Sequence, residues 1–94
     1  MTANVDSQSR VTISPSVYAR AFGKELVLLE FGRGEYFGLD EIGAAVWRRL
    51  EAGHDLGVTA AAIAEEYEVA TEQALRDIVD LVTHMQERAL VTVR

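Results

Sequence analysis

The side chains of this 94-residue chain whose types could support metal binding or acid–base catalysis are two histidines and 15 acids, of which three near helix ends are the candidate carboxylates. His54 lies in a Gly-His-Asp segment typical of a loop, and His84 falls on the polar side of a predicted helix. Neither stands at a recognisable spacing from other metal ligands, and isolated histidines of this kind are usually solvated surface groups. We therefore predict no metal site and no general base.

The remaining candidate motifs favour structural explanations. Glu65, Glu66 and Glu72 lie near predicted helix ends, where acids commonly serve the helix macrodipole or solubility. Gly32 and Gly34 superficially resemble a phosphate-binding loop, but its lysine and its strand-loop-helix setting are missing. The chain has no cysteine, which excludes a thiolate nucleophile and a Cys-based zinc site. We expect a protein that is not an enzyme and takes no cofactor.

Composition and charge narrow the class of partner. A net charge of -6 disfavours nucleic acids, because affinity for them comes mainly from Lys and Arg side chains that neutralise phosphates. Partners with basic or apolar surfaces are favoured instead. No apolar run reaches about 18 residues, and the first residues lack the pattern of a signal peptide. The predicted location is cytoplasmic, with no membrane partner.

A strand that runs directly into a helix, within Gly34–Trp47, is the most informative stretch. Asp40 is a good N-cap, because its carboxylate can accept hydrogen bonds from the free amides of the first helical turn. Ile42, Val46 and Leu50 then recur at helical spacing, so the apolar period changes from two to about 3.6 at this point. The exposed backbone of the strand is a candidate binding edge.

Strand-forming residues upstream predict a three-stranded antiparallel meander at 17–22, 25–31 and 35–39. Residues 1–9 are polar and unpatterned and are interpreted as a flexible N-terminal tail, which leaves 10–94 as a single domain. The middle strand is apolar on both faces, whereas a meander with one solvated face should alternate. We expect helices to cover one face and the chain termini or a partner in a homodimer to cover the other.

Three helices are predicted to follow, at 40–51, 59–67 and 71–88, with Thr59 and Thr71 as the N-caps of the second and third. The fold class is therefore α+β, a three-stranded sheet followed by a three-helix bundle. The third helix has an apolar face wide enough for two contacts. Its members are Ala74, Leu75, Ile78, Val79, Leu81, Val82 and Met85. A short extended segment, Leu90–Val93, closes the chain and can pack back on the bundle.

This order of elements, with its motif residues, resembles the PqqD-like family, whose members recognise the precursors of ribosomally synthesised and modified peptides. The residues that carry the resemblance are Tyr36, Leu39, Asp40, Gly43, Val46, Trp47, Thr59, Ile63, Tyr67, Asp77, Ile78, Leu81, Val82, Leu90 and Val91. The family usually has Asn at Asp40, Gly at Ala89 and Leu near Met85. The Pro-Glu-Gly turn of members from the pyrroloquinoline quinone pathway is also absent, which favours a stand-alone protein of lasso peptide biosynthesis.

The resemblance implies a winged-helix-like PqqD fold and a binding function. In the family, the leader segment of a precursor peptide adds a strand to the sheet edge, in the cleft between the third strand and the third helix. The implied leader-binding residues are Glu35, Tyr36, Phe37, Gly38, Leu39, Ala74, Leu75, Ile78, Val79, Leu81 and Val82. Which margin of the third helix lines the cleft, that of Val79 or that of Leu81, stays open, and Tyr36, Ile78 and Val82 could instead be core.

The implied partners are the leader peptide and a modifying enzyme, such as a leader peptidase or a cyclase, to which the leader is delivered. Three other interpretations stay open: a PqqD-type chaperone for a radical SAM enzyme, a winged-helix DNA-binding regulator and a structural oligomerisation module. A DNA-recognition helix would present Lys, Arg, Asn or Gln to base edges. The third helix instead carries more acids than bases. They are Glu72, Asp77, Asp80 and Glu87, against Arg76 and Arg88.

Overall fold

Eight elements make up the fold in a computed structural model that describes residues 5–94. In chain order they are β1 Val11–Ile13, β2 Val17–Phe22, β3 Glu25–Glu30, β4 Glu35–Leu39, α1 Glu41–Glu51, α2 Leu56–Tyr67, α3 Thr71–Glu87 and β5 Val91–Val93. The predicted α+β class and three-stranded antiparallel sheet are confirmed, and the strands β1 and β5 add to the predicted order of elements. No helix among the described residues is long and apolar enough to cross a membrane.

The meander has the strand order β2-β3-β4, so β4, the predicted third strand, lies at an edge. Phe22 pairs with Glu25 across the first turn, and Glu30 pairs with Glu35 across the second. Both turns contain a glycine at positive φ, +61° at Gly23 and +67° at Gly34. Residues other than glycine rarely adopt this conformation, so Gly23 favours the turn between β2 and β3, and Gly34 favours the turn that sets the register of β4.

A second sheet, absent from the prediction, joins the two ends of the described chain. β1 pairs antiparallel with β5, with Thr12 opposite Thr92. Beyond the ladder, Arg10 and Arg94 exchange two backbone hydrogen bonds of 2.8 Å. The extended conformation predicted at Leu90–Val93 was right, but its partner was not foreseen. Three-residue strands carry almost no periodic signal, and their pairing depends on contacts distant in sequence.

The predicted tail of residues 1–9 is in contact with the domain over its described part. The N–H of Leu56 donates to the carbonyl oxygen of Ser9 at 3.0 Å, and the N–H of Gly57 donates to that of Ser7 at 2.7 Å. Ser9 is buried, and Val5 packs against the core. The packed structure therefore starts before residue 10, while residues 1–4 lie outside the described part of the chain.

The caps of the first two helices show one correct and one wrong prediction. Asp40 caps α1, its Oδ1 accepting from the N–H of Gly43 at 2.8 Å. Thr59 does not cap α2, because that helix begins three residues earlier, at Leu56, with Asp55 as its N-cap. The hydroxyl of the buried Thr59 instead donates to the carbonyl oxygen of Asp55 at 2.8 Å.

The third helix also starts without its predicted cap. Ala70 occupies the N-cap position, no side chain caps the helix, and Thr71 is its first residue. The helix ends at Glu87, one residue before the predicted end. Neither difference moves the apolar face, whose central residues Ile78 and Val82 are buried.

The core lies between the three helices and one face of the meander. The largest side chains buried there include Leu28 from the sheet and Trp47 and Leu50 from α1. The opposite face of the meander, which we call the outer face, exposes Tyr18 and Tyr36. Over residues 5–94 the chain termini do not cover this face, contrary to one of the two predictions, because β1 and β5 pair with each other and contact α1 and α3. Cover by a homodimer partner stays a prediction.

Candidate functional site

A cavity of about 540 Å³ opens between β4 and α3, and we call it the groove. β4 and the start of α1 contribute Phe37, Gly38, Leu39, Asp40, Ile42, Gly43 and Val46. α2, α3 and the turn between them contribute Ile63, Val69, Gln73, Ala74, Asp77, Ile78 and Leu81. Most of these side chains are apolar, and the polar ones, Asp40, Gln73 and Asp77, are exposed. An apolar pocket with a few polar groups is typical of a ligand site.

The β4 edge beside the groove has backbone groups that no described strand uses. The N–H of Phe31 donates to Ser16 at 3.0 Å, which fixes the alternation along β3. Residues 29 and 27 therefore turn their backbone groups toward β2, and residues 28 and 26 turn theirs toward β4. Their partners in β4, Phe37 and Leu39, complete that ladder. The N–H and C=O groups of Tyr36 and Gly38 consequently point to the free edge.

Side chains of β4 alternate between the groove and the outer face. Phe37 is partly buried and Leu39 is buried, and both line the groove. Tyr36 lies on the outer face with 73% of its surface exposed. Gly38 also faces the outer side, where a Cβ would meet no atom within 4 Å.

Only one margin of α3 borders the groove. Ala74, Ile78 and Leu81 line it, while Leu75 and Val79 line a second hollow of about 470 Å³. That second hollow lies against residues 5–7 of the N-terminal segment. The margin question that the sequence left open is thus decided geometrically in favour of Leu81.

The structure brings together six of the eleven residues predicted to bind a leader. They are Phe37, Gly38, Leu39, Ala74, Ile78 and Leu81. Of the other five, Glu35 and Tyr36 lie on β4 outside the cavity lining, Leu75 and Val79 line the second hollow, and Val82 is fully buried in the core. Their assignment to leader binding stays a prediction.

The floor of the groove was missed from the sequence. It comes from α1 and α2, through Ile42, Val46 and Ile63. Gly43 allows the first turn of α1 to lie close to the Leu39 side chain, because a Cβ at Gly43 would lie only 3.2 Å from Leu39 Cδ2. The one available signal was Ile42, an apolar residue in the first turn of α1 that is 43% exposed and has no place in the core.

Charges are distributed unequally along the groove. Asp40 lies where β4 enters α1, and Asp77 lines the groove from α3, eleven residues or about 16 Å of helix before Arg88. At the other end, Arg33 and Arg88 approach the carboxylate of Glu35 at 3.9 and 3.8 Å. The guanidinium carbon of Arg88 also lies 5.6 Å from the centre of the Phe37 ring, within range of a cation–π interaction. The C-terminal end of α3 is thereby held against the start of β4.

A buried carboxylate shapes the turn that precedes β4. Glu30 accepts hydrogen bonds from the hydroxyl of Ser16 at 2.5 Å and from the backbone N–H groups of Gly32 and Arg33 at 3.0 and 2.7 Å. The Ser16 hydrogen bond, followed by that of Arg33, lowers the pKa of Glu30 below its ordinary value, while burial opposes the shift. The ionised Glu30 side chain therefore stabilises the turn between β3 and β4 through these hydrogen bonds.

The groups first considered for catalysis do not come together. His84 is exposed on α3, and His54 is partly buried in the loop after α1. Within residues 5–94, no three or more His, Asp or Glu side chains are grouped in a way that could hold a metal ion. The arrangement in the groove is suited to holding an extended chain through hydrogen bonds and apolar contacts.

Comparison with known proteins agrees with the predicted resemblance. A family model described as coenzyme PQQ synthesis protein D (PqqD) matches residues 25–91. The solved structure of TbiB1 in complex with the TbiA(beta) leader peptide is 34% identical, with a TM-score of 0.80 over 84% of this chain and 92% of that chain. Lasso peptide synthetase B1 complexed with the leader peptide is 32% identical, with a TM-score of 0.81 over 87% and 96%.

No curated protein matches the chain. The residues matched by the family model begin with β3 and extend into β5, so they include both β4 and α3, the two walls of the groove. The resemblance predicted from the sequence is confirmed, and the chain belongs to the PqqD family.

Proposed function

We propose that this protein binds the leader segment of a ribosomally made precursor peptide, as a strand added to β4. The observation that carries the proposal is the free edge of β4, with the backbone groups of Tyr36 and Gly38 unpaired beside a largely apolar groove. The two similar solved structures are, by their descriptions, complexes with leader peptides. In strand addition, backbone hydrogen bonds supply affinity and side-chain pockets supply specificity.

The leader would place its alternate side chains in the groove. A cavity of about 540 Å³ has room for more than one apolar side chain. Burial of apolar surface contributes about 25 cal/mol per Å², so such contacts can supply much of the binding free energy. Binding of this kind should persist at moderate salt, unlike binding driven by phosphate contacts.

The protein would act by delivery and would not modify the peptide itself. It would work in the cytoplasm, in a winged-helix-like arrangement, and pass the bound leader to a leader peptidase or cyclase of lasso peptide biosynthesis. Service to a radical SAM enzyme is the alternative within the same family. Homodimer formation is a separate prediction, and sedimentation velocity over a range of protein concentrations tests it.

Calorimetry combined with NMR tests leader binding. The TbiA(beta) leader peptide and the leader of a precursor encoded beside this gene are titrated into the isotope-labelled protein. We expect saturable heat with at least one of them, together with shifts of the Tyr36 and Gly38 amide signals. Absence of heat with both peptides, or saturable binding that leaves the β4 amides unshifted, would contradict the proposal.

A further inference from the structure

We infer that the groove reads the order of charges along the leader. A cationic side chain would lie at the end formed by Asp40 and Asp77, and an anionic side chain would lie at the end formed by Arg33 and Arg88. Apolar residues between them would occupy the cavity. This inference rests on the proposed function and adds the chemistry that would set the register and direction of the bound peptide.

The acidic end has negative charge available for a ligand. Asp77 accepts a hydrogen bond from the side-chain amide of Gln73 at 2.9 Å, and Asp40 accepts one from the N–H of Gly43 at 2.8 Å. Neither carboxylate forms a salt bridge with any residue in the range 5–94. The N-terminus of α1 partly offsets the charge of Asp40, so Asp77 is the stronger attractor for a cation.

The opposite end presents two guanidinium groups to a ligand. Arg33 and Arg88 share one oxygen of Glu35, and the other carboxylate nearby, that of Glu30, is already hydrogen-bonded by Ser16 and the turn. Both N–O distances, 3.9 and 3.8 Å, exceed hydrogen-bonding length, which leaves the guanidinium donors available to a ligand. Stacking on Phe37 keeps Arg88 beside the groove wall. An Asp or Glu side chain of the leader would be drawn to this end.

The distance between the two ends fixes the spacing of the charges. β4 extends from Glu35 to Leu39, and a strand rises about 3.3 Å per residue, which gives about 13 Å. The cationic and anionic residues of the leader should therefore be about four residues apart. A peptide with the same composition but the reverse order would place like charges together at both ends. Each exposed ion pair changes affinity by up to about fivefold, and two together can select a direction.

Selection of displayed peptides tests the inference, and it does not require the sequence of the natural leader. Libraries of randomised peptides long enough to span β4 are selected on the parent and on the double variant Asp77→Arg with Arg88→Glu. The matched control, Asp80→Arg with Arg20→Glu, makes the same exchange at exposed positions outside the groove lining. We expect peptides from the parent and the control to share one order of charges and those from the groove variant to show the reverse.

A neutralised variant, Asp77→Asn with Arg88→Gln, keeps the test decisive if the exchange of charges disturbs folding. It should enrich apolar peptides with no fixed order of charges. Peptides that shift the Tyr36 and Gly38 amides of the parent but carry charges in random order would overturn the inference and leave leader binding intact. Selection that never yields a peptide bound at β4 would overturn both proposals.

Discussion

Individual backbone groups decide whether a peptide can join the sheet. Tyr36 and Gly38 direct their N–H and C=O groups to the free edge, whereas Phe37 and Leu39 pair with β3. A residue can thus be essential for binding through its main chain while its side chain, like that of Tyr36, lies on the opposite face. A substitution by proline, which removes the backbone N–H, can be compared with one by alanine, which removes only the side chain, to separate the main-chain and side-chain contributions to binding.

Replacement of Tyr36 by proline should weaken leader binding about tenfold, because proline removes the N–H that faces the added strand and places its ring at the edge. Tyr36→Ala removes the same side chain but keeps the N–H, so its affinity should stay close to that of the parent. Calorimetry with the leader compares the two, and circular dichroism checks that both are folded. Equal affinity of the proline and alanine variants would contradict pairing at this edge.

Charge introduced on α3 distinguishes the two margins of its apolar face. Leu81→Glu places a carboxylate at the groove, where only the bound leader would bury it, so binding should weaken by about 1–3 kcal/mol. Val79→Glu makes the same change at the second hollow and should leave the affinity unchanged. Calorimetry measures both affinities, and thermal unfolding monitors stability. If Val79→Glu weakens binding as much as Leu81→Glu, the groove is not the site.

At the scale of elements, the turn between β3 and β4 is held by a side chain from within the sheet. The carboxylate of Glu30 binds two backbone N–H groups of the turn and the hydroxyl of Ser16, which precedes β2. A single ionised group therefore connects the start of β2 to the turn that positions β4. Because ionisation strengthens these hydrogen bonds, the stability of this region depends on pH.

The pKa of Glu30 is lowered from its ordinary value of 4.5 in the folded state. Its hydrogen bonds therefore add stability that is complete above about pH 4.5 and is lost as the pH falls through the lower folded-state pKa. Glu30→Gln should be less stable than the parent at neutral pH, and the difference should narrow in acid. Urea unfolding between about pH 3 and 7 measures it. Glu65→Gln, at an exposed carboxylate, is the control, and a difference for Glu30→Gln that does not change with pH would contradict the prediction.

Elements were predictable from the sequence where local chemistry determines them. The meander and the cap at Asp40 follow from strand-forming residues, turn glycines and a short polar side chain. The start of α2 was not predictable in this way, because Asp55 and Thr59 are both good N-caps. The first turn of α2, which the prediction lacked, is supported by the hydrogen bond from the N–H of Gly57 to the carbonyl oxygen of Ser7. The floor of the groove was missed for a similar reason: Ile63 reaches it only through the packing of α2 against α1 and α3.

At the scale of the whole molecule, the net negative charge disfavours binding to nucleic acids. The net charge is -6, and the exposed side of α3 carries Glu72, Asp77 and Asp80. A helix with this surface would meet the phosphates of a DNA groove with like charge. The chain has three helices and a small sheet, but its surface charge does not suit DNA recognition.

We predict no specific binding of duplex DNA at physiological salt, because few phosphates could be neutralised by this surface. Electrophoretic mobility shift with a promoter fragment from the same gene neighbourhood measures this. Retardation of the fragment at submicromolar protein concentration, weakening steeply as salt is raised, would instead support the winged-helix regulator.

The direct passage from β4 to α1 has a thermodynamic consequence. Leu39 ends the strand, Asp40 caps the helix and Glu41 begins it, so no loop has to become ordered when a peptide arrives. The entropic cost of complex formation should therefore fall almost entirely on the peptide, at about 0.5–1.5 kcal/mol for each rotamer-rich side chain that is immobilised. A peptide preorganised in an extended conformation would gain affinity without any new contact.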